Sequence, residues 1–187
     1  MNRSFEIDVN VVEEAGYHSA MLGISFNKDQ PLENMPAVAN KLAPNDGGHN
    51  KFLEQIMIWM VVCAPRYWWQ EADTFRLSSK SSQSTMHTIL RNQLGYMNFE
   101  CNDVEGVNMK YLNLLLSQGE LVMLKRKLPE GFMQKRMWMV SYKTLRNIIL
   151  QRKNHRLPHW RRFIESVLGQ VQHPELLPEV HEKAEED

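Results

Sequence analysis

Two stretches of this chain carry side chains able to do chemistry. In the first, Tyr67, Trp68 and Trp69 precede Glu71, Asp73 and Arg76, and a hydroxyl-rich segment from Ser78 to Thr85 leads to His87. Adjacent tryptophans are costly to expose, so they read as core or subunit contact, a rigid base from which the polar groups emerge on a loop. In the second stretch, Leu145, Ile148 and Ile149 form the apolar stripe of a helix over Tyr142 to Arg152, and Arg152 falls on that stripe. A guanidinium cannot shed its charge, so on a buried face it needs an anion or many acceptors. At a helix C-terminus it could equally interact with the dipole and reach solvent. Lys153, His155 and Arg156 nearby favour an anionic ligand over an internal carboxylate.

Other chemistries find less support. A Ser/His/Asp hydrolase would have to draw on Ser84, His87 and Asp73, but no nucleophile-elbow sequence surrounds any serine. His155 and His159 are four apart, yet Pro158 lies between them, and no metal site is expected. No Gly-rich phosphate loop and no HExxH motif is present. Cys63 and Cys101 lack metal-ligand spacing and read as reduced thiols.

With 187 residues and a formal charge of zero, the chain suits one domain with a sizeable core and gives no global attraction for nucleic acid or an anionic membrane. Residues 143 to 162 hold seven Lys/Arg and no acid, but the basic residues alternate with Leu157 and Trp160, which argues against a nucleic-acid patch. The N-terminus has no apolar signal region and the longest apolar run is too short to span a bilayer, so a cytoplasmic, membrane-free protein is expected.

The elements that must position these residues follow in order. Phe5, Ile7, Val9 and Val11 alternate with polar residues and predict a strand. Gly16 to Phe26 reads as helix, Asn27 to Pro36 as loop, and Ala37 to Leu42 as a short helix stopped by the turn Ala43 to Gly48. Ile56 to Cys63 is bulky, partly β-branched and uncharged, which suits a central strand. Thr88 to Gly95 is compatible with helix or strand. Gly106 to Gly119 has helical spacing, Leu121 to Leu124 leads to a basic triplet, and Leu128-Pro129 starts a new element. Trp138 to Val140 reads as a brief extended piece, and a last helix spans Pro158 to Leu168. A domain over 1–169 and a loose acidic tail over 170–187 are expected.

Taken together, the spacings resemble those of flavin-dependent thymidylate synthases over roughly residues 5 to 165. Ala20 to Phe26 (AMLGISF) is similar to an A-x-x-S-F helix, and Gly48-His49 to Glu54 to a G-H-x-x-x-x-E segment before a strand ending in Ala64-Pro65. Nine residues beyond Pro65, the signature R-H-R-x-x-S-x-N-E-x-S-x-R aligns with Thr74 to Met86. Arg76, Ser79 and Ser84 match it, whereas Thr74, Phe75, Ser81, Ser82 and Met86 replace its other residues. R-x-x-L-P corresponds to Lys125 to Pro129, and W-x-V-N-x-R-S-L-x-N-F-L-x-x-R to Trp138 to Arg152, with Asn147 and Arg152 retained, Ser141 for asparagine and Lys143 for arginine. A branch with a similar W-W…D-T-[FY]-R…S-T-M-H stretch, found among phage and Gram-positive proteins, is also resembled; there Glu71, Asp73, Arg76 and His87 could form a rebuilt site.

The resemblance implies an α/β (α+β) single domain, a mixed sheet flanked by helices, assembling as a homotetramer with shared sites. It implies FAD as cofactor, NADPH and methylenetetrahydrofolate as co-substrates, and transfer of a one-carbon unit to a pyrimidine nucleotide such as dUMP. The flavin and folate carry the hard chemistry, and the protein holds anions in place. On this mapping Glu71, Ser82, Ser84, Lys125 and Arg152 would bind the nucleotide, and Gln55, Thr74, Arg76, Ser79, Lys143 and Asn147 the flavin. Each charged partner lost to a phosphate removes roughly 1.5–3 kcal/mol per hydrogen bond. A non-catalytic nucleotide-binding or assembly protein on the same scaffold is the alternative.

Overall fold

The central element is β2 (Met57–Pro65), whose side chains alternate between buried and half-buried: Ile58, Met60, Val62 and Ala64 turn into the core. In this computed structural model, residues 7–28, 30–100 and 108–180 are described. On one side β2 pairs antiparallel with β1 (Asp8–Ala15), on the other with β4 (Met133–Ser141), and β4 pairs with β3 (Ser78–Ser82). The four-stranded antiparallel order is β1-β2-β4-β3. The expected central strand is therefore an inner one. The expected first strand begins at Asp8 and runs on to Ala15, with an irregularity between Val11 and Glu13; Phe5 lies outside the described residues.

Two expectations fail at β3 and β4. Ser78 to Ser82, read as loop from its hydroxyls, is an edge strand in register with Val140 to Arg136. An edge needs only one paired side, and β4 supplies it, overriding the low strand propensity of serine. Trp138 to Val140 is the end of a nine-residue strand rather than a brief piece. Its earlier residues, Lys135 and Arg136, disguise it by their charge, although only Lys135 is exposed; Arg136 lies over the Trp69 ring and pairs with Asp73.

Eight α-helices pack around this sheet among the described residues. α1 (Tyr17–Ser25) follows β1 through Gly16, whose φ of 96° and approach to the Gln55 carbonyl leave no room for a Cβ. α2 (Met35–Leu42) starts two residues earlier than expected, and α3 (Arg66–Ala72) follows Pro65 directly. α4 (Thr85–Thr88) is one turn; Ile89 and Leu90 form a turn and Arg91 to Gly95 is bent, irregular backbone, so Thr88 to Gly95 is neither helix nor strand for most of its length. α5 (Met109–Ser117) and α6 (Leu121–Lys127) form a hairpin around Gly119. α7 (Tyr142–Arg152) and α8 (Pro158–Leu168) match the expected bounds, with Ser141 capping α7 and Pro158 in the first turn of α8.

The main core closes over Trp68, Trp69, Trp138 and Trp160, each fully buried, with Phe163 among them. The aromatic block is therefore core within one chain. A smaller apolar cluster joins Ile89, Leu94, Phe99, Leu112, Leu124 and Phe132. Between the two lies a buried polar knot. Glu100 accepts from Tyr67 Oη at 2.6 Å and lies 2.7 Å from His159 Nε2. The expected loose tail does not begin at Gln170, because Val171, Leu176 and Leu177 are buried in the core and Gln170 hydrogen-bonds to β1. The tail beyond Val180, and Cys101, lie outside the described residues; Cys63 lies half-buried on β2. No described helix is long and apolar enough to cross a membrane.

Candidate functional site

α7 is fixed at its N-terminus by four contacts, and these aim its first two turns. The Tyr142 N–H donates to the Ile56 carbonyl at 2.8 Å, and Ser141 Oγ accepts from the Thr144 N–H at 3.2 Å. Thr144 Oγ1 donates to the Leu77 carbonyl at 3.1 Å, tying the helix to the approach to β3. The Tyr142 hydroxyl donates to Glu14 at 2.8 Å. Burial, then that carboxylate, pushes the phenol far above its ordinary pKa.

With α7 held this way, Lys143, Thr144 and Asn147 line a pocket of about 480 Å³, opposite Ser78 and Ser79 of β3. Glu54 and Met57 complete the far side. That volume lies within the range of small-molecule sites, roughly 300–1,000 Å³. Lys143 is not a free cation, since its Nζ donates to Asn50 Oδ1 and sits 3.1 Å from Asp46 Oδ1. Asp46 also faces Arg146 at 3.3 Å. The hydrogen bonds from Lys143 and Asn50, with the Arg146 charge, hold the Asp46 carboxyl below the usual carboxylate range.

Three of the six residues expected to hold a flavin, Ser79, Lys143 and Asn147, thus meet around one cavity. Gln55 lines a neighbouring pocket of about 180 Å³ with Gly23 and His49. Arg76 is exposed just before Leu77, which lines the larger cavity, and makes no ion pair among the described residues. Thr74 donates its hydroxyl to the Glu71 carbonyl at 2.7 Å, closing the end of α3.

At the other end of α7, Arg152 and Glu71 converge on one ring. The Arg152 guanidinium lies 5.2 Å from the Trp160 ring centroid and 5.4 Å from that of Phe75, and its buried Nε has no hydrogen-bond partner. Glu71 accepts the Trp160 indole N–H at 2.8 Å and lies 3.4 Å from His155 Nε2. Phe75, standing where the resembled signature has histidine, is thereby a support for the arginine.

The remaining expected residues lie elsewhere. Ser82 is exposed opposite Arg136, Ser84 directly precedes the single turn of α4 without a side-chain capping bond, and Lys125 is half-buried on α6. None lines the 480 Å³ cavity. Asp73 pairs with Arg136 at 3.0 Å and Lys80 at 3.6 Å, so neither Arg76 nor His87 is its partner. Burial holds the Lys80 ammonium below its ordinary pKa, with Asp73 opposing. His155 and His159 face different carboxylates, Glu71 and Glu100, and do not converge.

Sequence reasoning missed the Asp46–Asn50 clasp on Lys143 and the ring support under Arg152. Lys143 and Arg146, three apart on a helix, share a face and hint at one acid between them. Nothing in the sequence pattern pointed to Asp46 as that acid.

No family profile and no curated protein matches this chain. Solved structures do. Two crystal structures of thymidylate synthase X, a flavin-dependent thymidylate synthase, from Helicobacter pylori with FAD and dUMP are similar to it. One aligns with a TM-score of 0.75 at 16% identity over 92% of this chain and 97% of that one. The other gives 0.77 at 15% identity over 94% and 100%. At this identity the likeness establishes the fold: a single α/β domain built as in flavin-dependent thymidylate synthases.

Proposed function

We propose that this protein binds FAD in the pocket beside the start of α7 and a pyrimidine deoxynucleotide against Arg152, as a thymidylate-synthase-like transferase of a one-carbon unit. The observation that carries this reading is the meeting of Ser79 with Lys143 and Asn147 around one cavity of sufficient size. The hydroxyls of Ser78 and Ser79, the Asn147 amide and the Lys143 ammonium suit the polar edge and ribityl chain of a flavin. Exposed Arg76 is the cation within the same segment for its pyrophosphate. When bound, the flavin would supply hydride transfer, drawing on NADPH and methylenetetrahydrofolate.

In this reading Arg152 presents a flat, ring-supported fork to the nucleotide. Ser82, Ser84 and Lys125, away from this chain's cavity, would serve a neighbouring subunit's nucleotide in a cytoplasmic homotetramer with shared sites. Leu77, Met97 and Val122, at 82, 92 and 63% exposure, offer apolar surface for such contacts.

A non-catalytic nucleotide-binding or assembly protein is the second reading. It is favoured by Thr74 and Phe75, which are engaged within the fold, and by the pairing of Lys143 with Asp46. Titration with FAD decides between them. Binding that quenches flavin fluorescence and weakens in Asn147→Ala supports the enzyme. A colourless protein that takes up no FAD sinks it.

A further inference from the structure

A cleft of about 150 Å³ lies between the α4 region and the first residues of β4. Its wall carries five side-chain amides, those of Gln83, Asn92, Gln93, Asn98 and Gln134, and no charged residue. Buried Ile89, Leu94 and Phe132 contribute its apolar surface. Two of the amides have a set orientation. Asn98 Oδ1 accepts the Gly95 N–H at 2.8 Å, and Gln134 Oε1 accepts from Arg136 Nη2 at 3.0 Å. Each carbonyl so engaged leaves its own NH₂ as a donor. Asn92 and Gln93 are exposed, and their side chains make no hydrogen bond among the described residues, so both keep a donor and an acceptor.

Charge and size restrict what such a cleft can take. An ion entering it would lose water without meeting a counter-charge, so the ligand is neutral. The volume is about half the lower end of ordinary ligand pockets, enough for one ring and too small for a flavin. Apolar side chains against a ring face and amides along its edge are how proteins hold an unstacked base. The cleft is also separate from the site beside α7. Gln83 and Thr85 line it, whereas Ser82 and Ser84, expected to face the nucleotide, do not.

We propose that this cleft is a second binding site, taking the neutral, planar, hydrogen-bonding ring of a free pyrimidine nucleoside. Isothermal titration of the full chain with uridine, and with ribose as the control, tests it. Uridine should bind saturably at roughly millimolar strength, as a single ring permits, and ribose should not. Gln93→Leu and Asn92→Leu, both at exposed positions, should each weaken uridine about tenfold, the factor for one hydrogen bond, with an unchanged thermal midpoint. Arg152→Met should leave uridine binding intact, which separates this site from the nucleotide site proposed above, and a failure to bind FAD leaves the inference standing. No binding of uridine, equal binding of ribose, or wild-type affinity in both leucine variants would overturn it. So would a uridine affinity lost in Arg152→Met alone.

Discussion

At its N-terminal end α7 sets Lys143 beside Asp46 and Asn50; at its C-terminal end it sets Arg152 against the rings of Phe75 and Trp160. Lys143 lines the 480 Å³ cavity and Arg152 lies at the far end of the same helix, and the two are held by different physics. Lys143 shares the Asp46 carboxylate with Arg146, so a phosphate must compete with that carboxylate for it. Arg152 is held by ring faces, each attraction worth roughly 0.5–2 kcal/mol, and these do not neutralise its charge or occupy its fork. One helix thus carries a cation restrained by an acid and another kept available by aromatic packing. Arg152 is the better placed to meet an anion.

The strongest test of this contrast removes the ring. Trp160 is fully buried, packs tilted against Trp68 and edge-on against Phe163, and donates to Glu71. Trp160→Ala should lower stability in urea by about 3–5 kcal/mol. It should also weaken nucleotide binding, since the guanidinium loses its platform. A loss below about 1 kcal/mol would mean that the cluster closes over the gap.

Next in size is the charge itself. Arg152→Lys keeps the charge and loses the fork, so dUMP affinity measured by calorimetry should fall about tenfold while the thermal midpoint stays near wild type. Arg152→Met should abolish that binding yet preserve the stem packing, at little cost or some gain in stability, because it removes a partly buried cation that makes no ion pair among the described residues. Equal affinity in all three proteins would reduce Arg152 to a solvated helix-end cation.

How much of this could be seen beforehand differs between the two ends of α7. The helix bounds, the inner strand β2 and the apolar stripe of Leu145, Ile148 and Ile149 were legible because burial period and capping are local signals. So was the presence of Arg152 on that stripe. Its ring support was not, because Phe75 and Trp160 come from segments that only the fold brings together. The edge strand β3 was illegible for a related reason. Serine favours turns locally, and only pairing with β4 makes Ser78 to Ser82 extended. Of the expected flavin residues, those on α7 and β3 converge, while Gln55 and Thr74 do not reach the same cavity. Motif spacing orders residues along a chain, but which of them share a cavity depends on strand register and helix rotation.

A smaller effect concerns the anchor that aims α7. Tyr142→Phe removes the hydroxyl that donates to Glu14 and accepts from the His173 N–H at 3.3 Å. The loss should be about 1–2 kcal/mol by urea denaturation at neutral pH. The native phenol titrates above its ordinary value, so the folded state keeps a proton that the unfolded chain releases above about pH 10. Stability from this shift is complete below that pH and is lost as pH rises beyond it. Tyr142→Phe should therefore show a flatter alkaline limb. Parallel limbs would mean that the hydroxyl is not what links stability to alkaline pH.

The smallest effect on stability bears most directly on the contrast between the two cations. Asp46 is exposed, and its carboxyl is held below the usual range by Lys143, Asn50 and Arg146. A carboxylate depressed in the folded state adds stability above the unfolded value near pH 4, and that contribution disappears as pH falls toward the folded value. In water-exposed surroundings the contribution is small and screened by salt. Asp46→Asn should thus leave the thermal midpoint near wild type at neutral pH and slightly flatten the acid limb of the stability curve. Its effect on binding should run the other way. With the acid gone, Lys143 keeps Asn50 as a partner but loses the carboxylate that offsets its charge on the wall of the 480 Å³ cavity. FAD, which carries a pyrophosphate, should then bind more tightly than to wild type, and the gain should shrink as salt is raised. If Asp46→Asn binds FAD more weakly, the carboxylate is orienting Lys143 toward the ligand rather than restraining it. The two ends of α7 would then differ in how they hold a cation, but not in whether that cation is available.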